Sequence, residues 1–393
     1  MPRQYSTEAL IKNIGVNFYG DNKEKMNEEI KKEKDISVDR EELKKEIKQL
    51  SSLCSVSGSE HKTVDEIKRI YGKSFDLIES DAVGNHILFR SCTRKNAPKI
   101  MIDAHYDEIG FMVTEVLDGG FLRITNIGGI DRAIMQSAFV TVYGKEKLDG
   151  VIISTPPHLR EGGNKLPKME DLLVDLGIGY TKEELCELVP LGTPITFEKK
   201  YTELCNELIA GPSFDNKACG AIALNAISSI PKEELAGDIF VTLSCREEVA
   251  GRGGAYVCAN KINPDYALVI DVNLADAPSV PSRESVQMGG GISISYSSAT
   301  DRALTRASAE LCERVGVDHI KKVESSSTGT NAIAVSLAGC GVSVVDVGLP
   351  LRNMHTYNEV ISLEDCADLW LFVREFAKSK ELAEKFRREE IDI

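Results

Sequence analysis

Several things are scarce in this sequence, and each scarcity excludes a class. The ten cysteines form no C-x-x-C pair, which argues against a thiolate zinc site and for scattered reduced thiols packed as small apolar groups. That usage predicts a reducing, cytoplasmic setting. No window approaches ~18 consecutive apolar residues, so no transmembrane helix is expected. The opening "MPRQYSTEALIKNIG" has no continuous apolar stretch of the secretory kind. Basic charge is in deficit: the formal net charge is −14, whereas a nucleic-acid binder shows a basic face. Aromatic residues make up 6% of the chain, with one tryptophan, Trp370, a poor platform for stacking sugars.

What is present is an α/β rhythm. A chain of 393 residues exceeds one ordinary core, so two domains are expected. Residues 1–40 are a charge-rich extension with few apolar anchors. From Glu41 the pattern becomes amphipathic, with Leu43, Ile47 and Leu50 in register for a helix. "GNHILFR", "KIMIDAHYDEIGFMV", "IFVTLSC", "YALVIDV" and "VSVVDVG" read as buried strands separated by helical segments. Continuously apolar strands between helices imply a mixed, largely parallel sheet covered on both faces. Residues 113–206 differ: short alternating strands with turn signals, such as Asp118-Gly119-Gly120, predict a small β-barrel-like domain inserted into the α/β domain of residues 41–112 and 207–393.

In an open α/β sheet the ligand site lies beyond the carboxyl ends of the strands. The polar residues delivered there are His105 and Asp107, Glu247 and Glu248, Asp271, and His355 just past "VSVVDVG". Asp215 sits where a loop enters a helix. Singly, each reads as a cap, a turn or a solvated side chain; a Glu-Glu pair is usually a loop, and Asp215-Asn216 alone resembles a helix N-cap. Together they have the residue types of a two-metal hydrolase. Two divalent cations need a carboxylate between them, and the positive charge left over acidifies a shared water. Histidine and carboxylate donors without thiolates suit zinc first, with cobalt or manganese as alternatives. His105 and Asp107 stand at i and i+2 and project to one side of an extended segment, so Asp107 can hold the imidazole in one tautomer. Adjacent Glu247 and Glu248 are expected to project oppositely, one ligating while the other faces the water.

From residue 41 to the C-terminus the motifs "AHYDEIGFMV", "GVIISTPPHL", "SFDNKACGA", "REEV", "ALVIDV" and "LPLRNMH" together resemble the tetrahedral-type glutamyl/leucyl metallo-aminopeptidases, some of which carry an old endoglucanase name. The resemblance implies a dizinc aminopeptidase-like fold whose inserted β domain acts as lid and oligomerisation module. It implies two divalent ions per chain, one on His105, Asp215 and Asp271, the other on Asp215, Glu248 and His355, with Glu247 as general base. It also implies short peptides as substrates and homo-oligomers from dimer to dodecamer, without nucleic-acid or membrane partners. Three departures stand out: "EEVAGRGGA" is one residue longer than the family's loop, Asn331 replaces an Asp, and Asn353 a Tyr. They keep two alternatives open, a related metal-dependent deacylase and a catalytically impaired relative.

Overall fold

The computed structural model describes residues 38–159, 166–177, 179–249, 253–278, 280–324 and 328–388. The charged arm expected over residues 1–40 lies, up to residue 37, outside them, as do residues 250–252 of the altered loop.

The apolar runs become strands that hydrogen-bond to one another. In chain order these are β1 (Leu77–Ser80), β2 (His86–Arg90) and β3 (Lys99–His105), then a barrel set considered below, β4 to β9, then β10 (Thr202–Glu203), β11 (Leu208–Gly211), β12 (Asp238–Ser244), β13 (Tyr266–Leu274), β14 (Ile292–Tyr296), β15 (His319–Val323), β16 (Ser343–Arg352) and β17 (Glu359–Ser362). They form one mixed sheet in the order β1-β2-β12-β3-β13-β16-β17-β11-β10, with β14 and β15 branching from β16. The four central strands β12, β3, β13 and β16 are parallel. Apart from the parallel β14–β15 pair, the flanks are antiparallel. Helical crossovers carry the chain between β12 and β13, which is what parallel pairing requires; the flanking pair β1–β2 is joined by a short turn.

Both faces of the sheet are covered. The helix Phe214–Ser228 is buried nearly all round, packed between the sheet and the helices Arg40–Ser51 and Leu363–Lys378. A helix apolar on every side belongs in a core. On the other face Ala255, Cys258, Ala259 and Val335 pack with Met101, Ala267 and Val269. The C-terminal helical run is two helices, Leu363–Lys378 and Lys380–Lys385, because the Ser379 side chain accepts the Leu382 N–H and caps a new start.

The segment "KIMIDAHYDEIGFMV" is also two strands. It leaves the sheet at His105 and re-enters as β4 (Gly110–Leu117), which with β5 (Phe121–Ile127), β6 (Phe139–Tyr143), β7 (Lys147–Ile153), β8 (Leu173–Asp175) and β9 (Pro194–Phe197) closes a barrel in the order β4-β5-β8-β7-β6-β9. Alternate residues point inward; Phe111, Val113, Leu122, Ile124, Val140, Val142, Ile152, Val174 and Ile195 fill it. The β4–β5 turn falls on Asp118-Gly119-Gly120, where both glycines have positive φ and a Cβ on Gly120 would meet the Gly177 carbonyl.

Candidate active site

Register brings the polar strand ends to one level. Ser244 of β12 pairs with His105 at the end of β3. Val269 of β13 pairs with Asp103, so Asp271 stands level with His105. His355 follows the end of β16. Asp215 opens the helix Phe214–Ser228 in a non-helical conformation, after Ser213 at φ 62°. Its neighbour Asn216 is tied down by donating to the Ile270 carbonyl at 2.8 Å, and the Asp215 N–H donates to Glu359 at 3.0 Å.

The two carboxylate oxygens of Asp215 face different partners. Oδ1 lies 3.0 Å from His105 Nε2, and that nitrogen is 3.5 Å from Asp271 Oδ1. Oδ2 lies 3.5 Å from His355 Nε2, which is 3.4 Å from Glu248 Oε2. Two donor groups result, His105/Asp215/Asp271 and Asp215/Glu248/His355, each with its ligand atoms within 4.8 Å of one another. A third grouping, His105/Glu247/Glu248, also satisfies that distance. The two glutamates differ in it: Glu247 Oε2 is 3.9 Å from His105 and its side chain is 22% exposed, whereas Glu248 lies against His355 and is 4% exposed. Glu248 is embedded, while Glu247 faces the cleft, a cavity of about 530 Å³ whose walls include Asn273, Lys322, Glu324 and Thr330.

Both glutamates therefore reach the same cavity, rather than opposite sides as extended backbone would require. The chain has already turned there: Arg246 has φ 62°, and the N–H groups of Glu247 and Glu248 donate to the two oxygens of Asp107 at 3.1 and 3.2 Å. Asp107 also accepts from Ser57 Oγ at 2.6 Å. The Nδ1 of His105 lies 3.1 Å from the Asp107 carbonyl oxygen and 3.6 Å from its carboxylate. The backbone of Asp107 is thus the nearer group orienting the imidazole, and its side chain anchors the glutamate turn.

The electrostatics are those of excess buried negative charge. Burial, then the Asp215 charge, pushes the Glu248 carboxyl up to about 10. Burial raises Asp271 to about 7 against the pull of His105. Burial, with Asp215 nearby, holds Glu359 well above the carboxylate range. Burial opposes charge on His105, yet Asp271, Asp107 and Asp215 together carry it well above its ordinary value. Carboxylates cannot stay ionised there without compensating cations. Oxygen and imidazole donors, split by Asp215 into two groups, fit a pair of divalent cations on both charge and donor type.

Residues 84–370 match the M42 glutamyl aminopeptidase family. The chain belongs to that family. As an M42 member it is an aminopeptidase, in a family of metal-dependent enzymes. It is 29% identical to the lysyl aminopeptidase of Pyrococcus furiosus over 328 residues, 81% of this chain and 92% of the relative. Among solved structures it resembles the aminopeptidase APDkam598 of Desulfurococcus kamchatkensis, with TM-score 0.80, 28% identity, and 90% and 99% of the two chains covered. It also resembles the TET1 peptidase of Pyrococcus horikoshii, with TM-score 0.74, 29% identity, and 85% and 99% covered; that peptidase assembles into a tetrahedron or a large octahedral shell.

Two of the departures from the M42 pattern acquire a place. Asn353 sits at φ 59° in a turn and donates to the Asn358 carbonyl at 3.2 Å, a conformation asparagine tolerates. Asn331 does not face the donor groups. It is buried behind them, its Nδ2 donating to Asp103 Oδ2 and to Ser244 Oγ, both at 3.1 Å. Asp103 is fully buried and also accepts from Thr242 at 2.5 Å. Asn331→Asp would set two carboxylates against each other and remove a donor. We expect it to destabilise the fold by about 3 kcal/mol; denaturant unfolding of the variant checks this, and an unchanged midpoint would refute it.

Asp103, Glu108 and Glu359 are among the buried acids that sequence patterns did not single out. Each takes at least one partner far along the chain.

Proposed function

We propose that the chain is a co-catalytic two-metal aminopeptidase that removes the N-terminal residue of short peptides. The observation carrying this reading is the division of the Asp215 oxygens between His105/Asp271 and His355/Glu248. His105, Asp215 and Asp271 would hold one cation, and Asp215, Glu248 and His355 the other, zinc first with cobalt or manganese as alternatives. Bound there, the cations would supply Lewis acidity, acidifying a water between them and polarising the scissile carbonyl. Glu247 takes the proton from the attacking water and returns it to the departing amine. It faces the cleft, and burial raises its carboxyl above its ordinary value, the direction that makes a carboxylate a stronger base. Asp107 keeps His105 Nδ1–H engaged and so directs Nε2 at Asp215. The cleft walls carry Lys322 and Glu324 as an ion pair, so both signs of charge face the substrate.

The barrel, expected over residues 113–206 and built by β4 to β9 from Gly110 to Phe197, serves in this reading as lid and oligomerisation module, and the chain forms a homo-oligomer, supported by the shells of TET1. Among the described residues no helix is long and apolar enough to cross a membrane. All ten cysteines are unpaired, which supports a cytoplasmic setting.

Chelation tests the metal centre. We expect exhaustive chelation to abolish turnover and to lower stability by about 2.7 kcal/mol for each site held at 100 times its dissociation constant. Full activity with metal absent by elemental analysis would end the two-metal reading. The chelated protein should also lose stability as pH rises. The Asp271 carboxyl, facing His105, Asp215 and Glu247, is raised to about 7 from an ordinary 3.8, so between those values the folded state binds the extra proton. Stability then falls with pH across that window. His105, raised above its ordinary 6.5, contributes stability that is complete below that value and lost as pH rises through its folded value. Thermal unfolding from pH 4.5 to 8, with and without metal, reads this. A flat chelated profile would mean the cluster carries no such charge excess.

A further inference from the structure

Directly beneath the donor groups lies a second charged cluster that the proposed chemistry does not use. Glu108 is 2% exposed. Its Oε1 accepts from the Ser55 N–H at 2.9 Å and from Lys217 Nζ at 2.7 Å. Its Oε2 pairs with Lys199 Nζ and accepts from Ser213 Oγ. Lys199 also donates to Ser213 Oγ at 2.7 Å, and Lys217 to the Leu53 carbonyl at 2.6 Å. Lys217 is fully buried and the Lys199 side chain is 10% exposed. Burial alone would raise the Glu108 carboxyl, but Lys199 and Lys217 hold it down at about 2.

The sequence positions of these partners give the cluster its meaning. Ser213 and Lys217 stand two residues before and two after Asp215. Lys199 stands two residues after the end of β9, the last strand of the barrel. A small cavity lined by Glu108, Lys199, Ser213, Asp215, Glu248 and Glu359 joins the cluster to the donor groups. We infer that Glu108 is a positioning residue that clamps both flanks of Asp215 and, through Lys199, makes the placement of that carboxylate depend on the barrel. A buried carboxylate that spends every oxygen lone pair on fixed donors leaves its neighbours little freedom. Asp215 must serve two donor groups at once, so a shift of a few tenths of an ångström at Ser213 or Lys217 is felt in both. The barrel is thereby a structural part of the site as well as a wall of it.

This inference rests on the two-metal reading, and the test separates the two. Lys199→Met removes the barrel's hold while Lys217 still satisfies Glu108. Ser213→Ala keeps every charge and removes only the hydroxyl joining Glu108 and Lys199 to the Asp215 segment. Leu311→Ala, buried in the helix Arg302–Val315, supplies a destabilised control outside both the barrel and the cluster. Cobalt(II) titration of the chelated full-length chain gives metal affinity; turnover of the aminoacyl-anilide the wild type prefers, at saturating cobalt, gives kcat. We expect Lys199→Met to weaken cobalt binding about tenfold and to lower kcat by on the order of 10–10²-fold, the scale of a small misplacement in a catalytic array. Ser213→Ala should show a smaller loss of both, about three- to tenfold. Leu311→Ala should lower the melting temperature and leave both readouts at wild-type values. Wild-type kcat and cobalt affinity in Ser213→Ala overturn the inference even if Lys199→Met fails to fold, and wild-type values in Lys199→Met overturn it whatever its melting temperature. If the wild-type chain neither retains cobalt nor cleaves any aminoacyl-anilide, the two-metal reading itself fails.

Discussion

Glu247→Gln is expected to lower turnover by at least ~10²–10⁴-fold while metal content stays near that of the wild type. The amide keeps the size and polarity of the carboxylate but cannot accept a proton. Glu247 is the more exposed of the pair and the more distant from imidazole, 3.9 Å from His105 against the 3.4 Å between Glu248 and His355. Amide hydrolysis uses such a base twice, first to take the proton of the attacking water and then to protonate the departing amine. Glu248→Gln should behave differently. A neutral amide is a poor ligand for a dication, so one site should lose affinity, and activity should return in part with excess metal. Metal titration of both variants alongside turnover decides the matter. If Glu247→Gln sheds metal and Glu248→Gln retains it, the roles are exchanged. If both turn over normally, the pair is a loop without catalytic function.

The behaviour of this pair also shows where sequence reasoning stops. That carboxylates emerge after "GDIFVTLSC" is legible, because a continuous apolar run announces a strand and a strand end announces a site. Which way they face is not legible, because alternation holds only while the chain stays extended. Arg246 takes a left-handed conformation, and Asp107, about 140 residues earlier, gathers both N–H groups. The same logic separates the sheet's centre from its margins. β3, β12, β13 and β16 are buried on both faces and read as apolar runs. β14, β15 and β17 are short or polar on one face, and they become strands by pairing with neighbours already in place.

Asn331 illustrates a second limit. As a missing charge in a family motif it points to an impaired enzyme. In the fold it is a donor to Asp103, so it relieves a buried carboxylate and leaves the donor groups intact. Of the departures that point to an impaired relative, Asn331 is thereby a matter of packing behind the site. Glu359 and Glu108 were invisible for a related reason. A single glutamate carries no pattern, and what makes these two matter are partners 144 and 91 residues away, the Asp215 N–H and Lys199.

Asp215→Asn is expected to have the largest effect of all, and of two opposite signs. Both donor groups include Asp215, so the variant should lose affinity at both sites rather than one, and excess metal should not restore it. Turnover should fall by on the order of 10⁴-fold or more, the scale reached when a residue shared by the whole catalytic unit is removed. The metal-free protein should respond the other way. Asp215 is the charge that, after burial, most raises the carboxyls of Glu248 and Glu359, and it adds to the strain on Asp271. Without metal, His105 compensates that repulsion only in part, so removing one negative charge relieves three neighbours at the cost of one partner of His105. Chelated Asp215→Asn should therefore melt at or above chelated wild type near neutral pH, and its stability should fall less steeply as pH rises. The stabilisation conferred by metal on the wild type should be absent. Paired thermal scans with and without metal, at several pH values, measure both signs. A chelated variant markedly less stable than chelated wild type would show that Asp215 is held by favourable local bonds rather than repelled. A variant that still takes up its full metal complement would show that it does not join the two groups.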